Sequence, residues 1–215
     1  MIRSPRLRRQ WTLYDDQEYQ RAFDEAGELL VQLAAKDRRD AWRLLGLCCQ
    51  RQKQYREAAE WFRRACEGSD EANDWLNVAV VYVQQGDKES AAEAFEQVRL
   101  CQQAARYTQL PSFHLQLYWY ASALSDSGDH SPLPRLIEEL AAAYRRLRRT
   151  DSAFLLARGM PFLSSFLALV VSHFDHEEKQ EEGIVWLQAL GQALDAAGQK
   201  QAAEAIEELR EAGDE

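Results

Sequence analysis

The chain has 215 residues, 46% of them hydrophobic, with only 10 glycines and 5 prolines, so it can build a continuous core and is poor in residues that interrupt helices. No run of alternating β-branched residues is long enough for a strand, which argues against a sheet-based fold. The net charge of −9 is carried by residues 175–215, with 12 acidic and 3 basic side chains; the preceding residues balance, and their basic clusters lack interleaved aromatics, so no nucleic-acid partner is expected.

In chain order, residues 1–14 carry Arg3, Arg6, Arg8 and Arg9 and read as a flexible basic arm that Trp11 and Tyr14 pin to the first helix. No apolar core follows these arginines, so a secretory signal is not expected. Residues 16–36 form an amphipathic helix with Tyr19, Ala22, Phe23, Ala26, Leu29, Leu30 and Leu33 at helical spacing, and no partner for it is visible upstream. Residues 37–40 are read as a turn. Helices are then expected near 40–52, 55–67, 73–85 and 88–106.

These four helices form two copies of one pattern. Trp42, Leu45, Gly46, Ala58, Phe62 and Ala65 recur 33 residues later as Trp75, Val78, Ala79, Ala91, Phe95 and Val98. Small residues let two antiparallel helices approach closely, and the large aromatics fill the space beside the crossing. A fixed period of this length marks stacked helical hairpins. Trp42-x2-Leu45-Gly46, Ala58-x3-Phe62, Trp75-x2-Val78-Ala79-x2-Tyr82 and Ala91-x3-Phe95 resemble the tetratricopeptide repeat family.

Further along, Pro111 opens a helix near 111–126, and another follows near 132–148. Leu117, Tyr120, Ala121, Leu124, Leu133 and Ile137 repeat the pattern in weaker form. The apolar stretch 153–174 is interrupted by Arg158, Gly159 and Pro161, and the unbroken run from Pro161 to Val171 is too short to span a bilayer, so a kinked, buried helix is expected there. A homodimer interface through Phe162, Phe166 and Val170 is the sharper alternative. Helices near 177–197 and 199–212 end the chain, with Leu187, Leu190, Gly191, Leu194, Ala202 and Ile206 again in the pattern. Residues 15–215 therefore read as one helical repeat domain, with clear copies at about 39–71 and 72–104 and degenerate copies at about 111–148 and 177–212.

Catalytic chemistry finds little support. There is no phosphate loop, no dinucleotide-binding glycine pattern and no nucleophile elbow around Ser164 and Ser165. Cys48, Cys49, Cys66 and Cys101 lack metal-ligand spacing and suit a reduced, cytoplasmic location. His173 and His176 share a helix face near Asp175, Glu177 and Glu178, but no third rigid ligand is indicated, so no metal and no cofactor are expected. His114 and His130 are read as solvated. The chain is not expected to be an enzyme.

The resemblance implies an all-α, right-handed superhelix of stacked antiparallel hairpins whose first helices line a concave groove. Counted off the repeat, the groove comprises Asp40, Arg43, Leu47, Gln50 and Arg51, then Asn73, Leu76, Asn77, Val80, Val83 and Gln84, then Leu115, Tyr118, Trp119, Ser122 and Ser125. Arg43 and Asn77 match two places of the carboxylate clamp that some members use for a peptide C-terminus, whereas Leu47, Leu115 and Trp119 replace its polar residues. The resemblance thus implies an adaptor, scaffold or partner-specific chaperone for a protein or peptide. The alternative is a sensor that changes superhelix shape on binding a peptide or small ligand.

Overall fold

In the computed structural model, which describes residues 3–107 and 109–213, all regular structure is helical. The described residues fall into two compact units, divided between Leu110 and Pro111. The first contains α1 (Arg8–Asp15), α2 (Tyr19–Leu29), α3 (Ala35–Arg51), α4 (Tyr55–Cys66), α5 (Ala72–Gln85) and α6 (Lys88–Ala104). The second contains α7 (Phe113–Asp126), α8 (Leu133–Leu147), α9 (Ser152–Ala157), α10 (Leu163–His176), α11 (Gln180–Gln192) and α12 (Ala196–Gly213).

In the first unit, neighbouring helices pair as α1–α2, α3–α4 and α5–α6, and α2 and α4 also pack on the helices that follow them. The segment expected as a flexible arm belongs to this stack. Pro5–Leu7 forms a 3-10 turn capped by Ser4, and α1 supplies the partner that α2 lacked in the sequence reading. Leu7, Trp11 and Leu13 are buried, so hydrophobic burial holds the segment in place. Two boundaries also shift: α2 ends in a 3-10 turn at Leu30–Gln32, and α3 already begins at Ala35, so the expected turn at 37–40 is helical.

One turn geometry recurs throughout. Gln17, Lys53, Gly86, Gly128, Gly159 and Glu178 all adopt the left-handed conformation, with φ between 54° and 79°. At each, the amide of the left-handed residue bonds a carbonyl three residues back, and the next amide bonds one five residues back: Gly86 N to Val83 O and Asp87 N to Tyr82 O, both at 3.0 Å, are one example. This pairing satisfies the last carbonyls of a helix while reversing the chain. After Gln17, Lys53, Gly86 and Glu178 the next helix starts two residues on, and Ala22, Ala58, Ala91 and Gly183 then stand five residues past the turn, all buried.

Close packing depends on small residues opposite large ones. A Cβ at Gly46 would lie 2.6 Å from the ring of Phe62, which is itself fully buried. In the second unit a Cβ at Gly183 would meet Leu209 at 2.6 Å and Phe174 at 2.7 Å, so α11 is clasped between α10 and α12. α11 and α12 also cross closely where Gly191 faces Ala202.

The apolar stretch 153–174 divides into α9 and α10 at Gly159–Pro161. Tyr144 of α8 donates to the carbonyl of Pro161 at 2.6 Å and stacks on Phe166. Trp186 of α11 covers another edge of Phe166. Phe166 and Val170 are each 0% exposed, as the expected buried helix requires, so two of the three side chains of the alternative homodimer interface through Phe162, Phe166 and Val170 are consumed by the core of their own unit. Phe162 alone stays exposed. Among the described residues, no helix is long and apolar enough to cross a membrane.

The Gly46–Phe62 contact gives a direct check. Gly46→Ala should destabilise the chain by about 1–3 kcal/mol in urea unfolding, despite alanine's better helix propensity, because the ring has no room to retreat. Adding Phe62→Leu should cost less than the two single changes together.

Candidate interaction surface

The first helices of the two clear repeats, α3 and α5, are held side by side by a buried ion pair. Arg43 points from α3 to α5 and grips Asp74 with two bonds, Nε to Oδ1 at 2.6 Å and Nη2 to Oδ2 at 2.7 Å. Its Nη2 also reaches Glu71 at 2.8 Å, and Ser69 donates to Asp74 at 2.7 Å. The side chains of Arg43 and Asp74 are only 6% and 0% exposed. Burial alone would push the guanidinium pKa down; the hydrogen bonds and charges of Asp74 and Glu71 outweigh it, and the net shift is upward.

An analogous carboxylate connects α3 to the N-terminal hairpin. Asp40 accepts from the Ser4 amide at 2.7 Å and from the Trp11 indole at 3.0 Å. Ser4 also donates its hydroxyl to Asp37 at 2.8 Å. At the other side of α5, Gln109 accepts from the Ala72 amide at 2.8 Å and donates to the Asp70 carbonyl at 2.7 Å. Buried carboxylates thus lock the α3–α4 hairpin to its neighbours on both sides, and Gln109 ties the end of α6 back to the start of α5.

This network revises the groove expected from the sequence. Arg43 and Asp40 are absorbed between helices and present no free charge, while Leu76 and Val83 are core residues. The carboxylate clamp therefore loses its remaining cation: Arg43 is already paired to acids of its own chain. Counting along the repeat could not reveal this, because the same register serves a helix that faces a groove and one that is salt-bridged sideways.

The other expected residues divide by unit. On α3, Leu47 and Gln50 are half-buried and Arg51 is exposed; on α5, Asn73, Asn77 and Val80 are half-buried and Gln84 is exposed. Gln50 donates to Gln84 at 2.9 Å, bringing the C-terminal parts of α3 and α5 together. Arg51 donates to the Tyr14 hydroxyl at 3.1 Å, extending the polar row to α1. The buried amide nitrogen of Asn77 has no hydrogen-bond partner among the described residues. Tyr118, half-buried, and Trp119, 42% exposed, lie on α7 of the second unit.

The cysteines offer no reactive centre. Burial pushes the Cys48 thiol up to about 12 and Cys49 up to about 11, and raises Cys66 and Cys101 too. Among the described residues, no group of three or more His, Cys, Asp or Glu side chains is placed to hold a metal ion.

Two outcomes check this assignment. Arg43→Ala should cost about 3–5 kcal/mol in chemical unfolding by stranding Asp74, and Arg43→Met combined with Asp74→Leu should recover most of that loss. In the native chain at pH 8, iodoacetamide should modify half-buried Cys101 well before the three buried cysteines, read by peptide mass mapping.

Residues 39–67 match one tetratricopeptide repeat model and residues 75–98 match a second. These spans cover α4 with most of α3, and most of α5 with the first part of α6. No curated protein matches the chain. Repeats of this family are generally non-catalytic modules that mediate protein–protein interactions. The pairwise helical packing and the close Gly46–Phe62 crossing agree with these matches, so the chain contains two tetratricopeptide repeats, within residues 39–98.

Proposed function

We propose that the chain is an adaptor, or a chaperone dedicated to one partner, that binds a polypeptide segment along the α3–α5 face of its first unit. The observation that carries this reading is the adjacency of Leu47, Gln50, Asn77, Val80 and Gln84 on the first helices of two matched repeats, rigidly aligned by the buried Arg43–Asp74 pair. Leu47 and Val80 offer apolar contact. The side-chain amides of Gln50, Asn77 and Gln84 can bond the backbone of an extended or helical segment, which needs both donors and acceptors.

With Arg43 committed to Asp74, recognition on this face rests on shape and amide hydrogen bonding rather than on a charged peptide terminus. The exposed Arg51 is the cation nearest to this set in sequence, and its partner is a tyrosine hydroxyl rather than an acid.

Affinity capture tests the proposal, with the wild-type chain and a Leu47→Glu, Val80→Glu variant as parallel baits. A stoichiometric polypeptide captured by the wild type should fall about tenfold or more with the variant, because two central contacts are lost, while the circular-dichroism melt is retained. Equal capture by both baits would exclude this face.

A further inference from the structure

The second unit contains a cluster of three histidines that plays no part in the α3–α5 face. His130 lies in the α7–α8 turn; His173 and His176 occupy the last turn of α10. His130 and His173 are each only 6% exposed, contrary to the solvated His130 expected from the sequence. Their Nδ1 atoms face each other at 3.3 Å, with ring centroids 5.6 Å apart and planes only 16° from parallel. His176 stacks on the other side of the contact, its ring centroid 3.7 Å from that of His130 and its plane tilted by 13°.

This geometry limits how many protons the pair can hold. The His130–His173 centroid separation exceeds the Nδ1–Nδ1 distance by roughly the two ring radii, so the nitrogens point at one another along nearly one line. One proton can occupy that line: one Nδ1 carries it and the other accepts it. A metal bound by both rings would instead need their lone pairs to converge at an angle, at about 2 Å from each nitrogen. A second proton would place two N–H groups head to head, and a charged His130 would lie in face contact with His176.

We propose that His130, His173 and His176 form a proton-operated latch that holds the α7–α8 turn on the end of α10 at neutral pH and releases it on acidification.

The surrounding charges are few. On the α7–α8 turn, Asp129 faces His130 and is itself buried; from the end of α10, Glu177 faces both His130 and His173, and Lys179 of the α10–α11 turn opposes charge on His173. The Ser125 carbonyl also bonds His130 and favours its charged form. Burial outweighs these attractions. It pushes His130 down first, with the charge of His176 adding to it, and it pushes His173 down with His130 adding to it.

The sign of the pH dependence follows. The folded unit binds fewer protons here than the unfolded or locally opened chain, so the latch is fully effective above the ordinary histidine range near 6.5 and weakens as pH falls below it. Opening would free the α10–α11 turn, which leads through Phe174 to Trp186 on α11.

The full chain can be tested without a partner. Amide-exchange protection factors at residues 128–133 and 173–180 should fall about tenfold or more between pH 7.5 and 5.5, while the α3–α4 and α5–α6 turns change little. Histidine ring NMR should show His130 and His173 gaining protons below the range of an exposed histidine. His130→Gln, His173→Gln should abolish the pH-dependent part of the loss. The proposal is overturned if the double variant keeps the wild-type pH response. It is equally overturned if, in the wild type, both rings gain protons at the ordinary pH with protection intact, a result that stands even where the variant does not fold.

Discussion

Six of the turns between helices among the described residues depend on one way of ending a helix. A left-handed residue accepts the steric cost of positive φ, and two backbone bonds repay it by satisfying carbonyls that would otherwise be stranded at the helix end. Glycine occupies this place three times, but Gln17, Lys53 and Glu178 adopt it as well. Non-glycine residues tolerate that conformation here because the following helix docks at once, with a buried alanine or glycine five residues later. Turn and close crossing therefore form one unit, and the antiparallel hairpin follows from both.

Stacking of hairpins uses a second device. Where backbones cross, small residues admit large rings, as Gly46 admits Phe62. Where hairpin meets hairpin, buried carboxylates bridge: Asp40 takes Ser4 and Trp11, and Asp74 takes Arg43 and Ser69. A buried pair of this kind adds little to stability over a hydrophobic replacement, but it is intolerant of misalignment. It sets the register of α3 against α5, and hence the spacing of Leu47, Gln50, Val80 and Gln84. The residue that looks most like a ligand-binding cation is thereby converted into a structural strut.

The second unit solves the same packing problem differently. Its α7–α8 turn is longer, inserting Asp129, His130, Ser131 and Pro132 before α8, and His130 fills the space against α10 with an aromatic but ionisable ring. An aliphatic residue could pack there with no dependence on pH. The imidazoles instead make the contact conditional on their neutral form. Tyr144, Phe166 and Trp186 form an aromatic group in the same unit with no histidine in it, so the unit joins a conditional contact to an unconditional core.

Much of the architecture is legible in the residues. The 33-residue recurrence from Trp42 to Val98 is enough to identify helical hairpins and their family, because small and large residues at fixed spacing have few other packing solutions. The break at Gly159–Pro161 is equally visible. Other features are not. α1 was hidden because Leu7, Trp11 and Leu13 supply too short an apolar pattern, and it is helical only where α2 and α3 cover it. Phe166 looks like part of an interface until Tyr144 and Trp186, distant in sequence, close over it. The fates of Arg43 and His130 are likewise decided by partners 31 and 43 residues away. Local sequence determines helix, turn and repeat because these depend on neighbours within a few residues. Whether a polar side chain becomes a surface contact, a strut or a buried proton site depends on distant partners, which only the tertiary structure brings together.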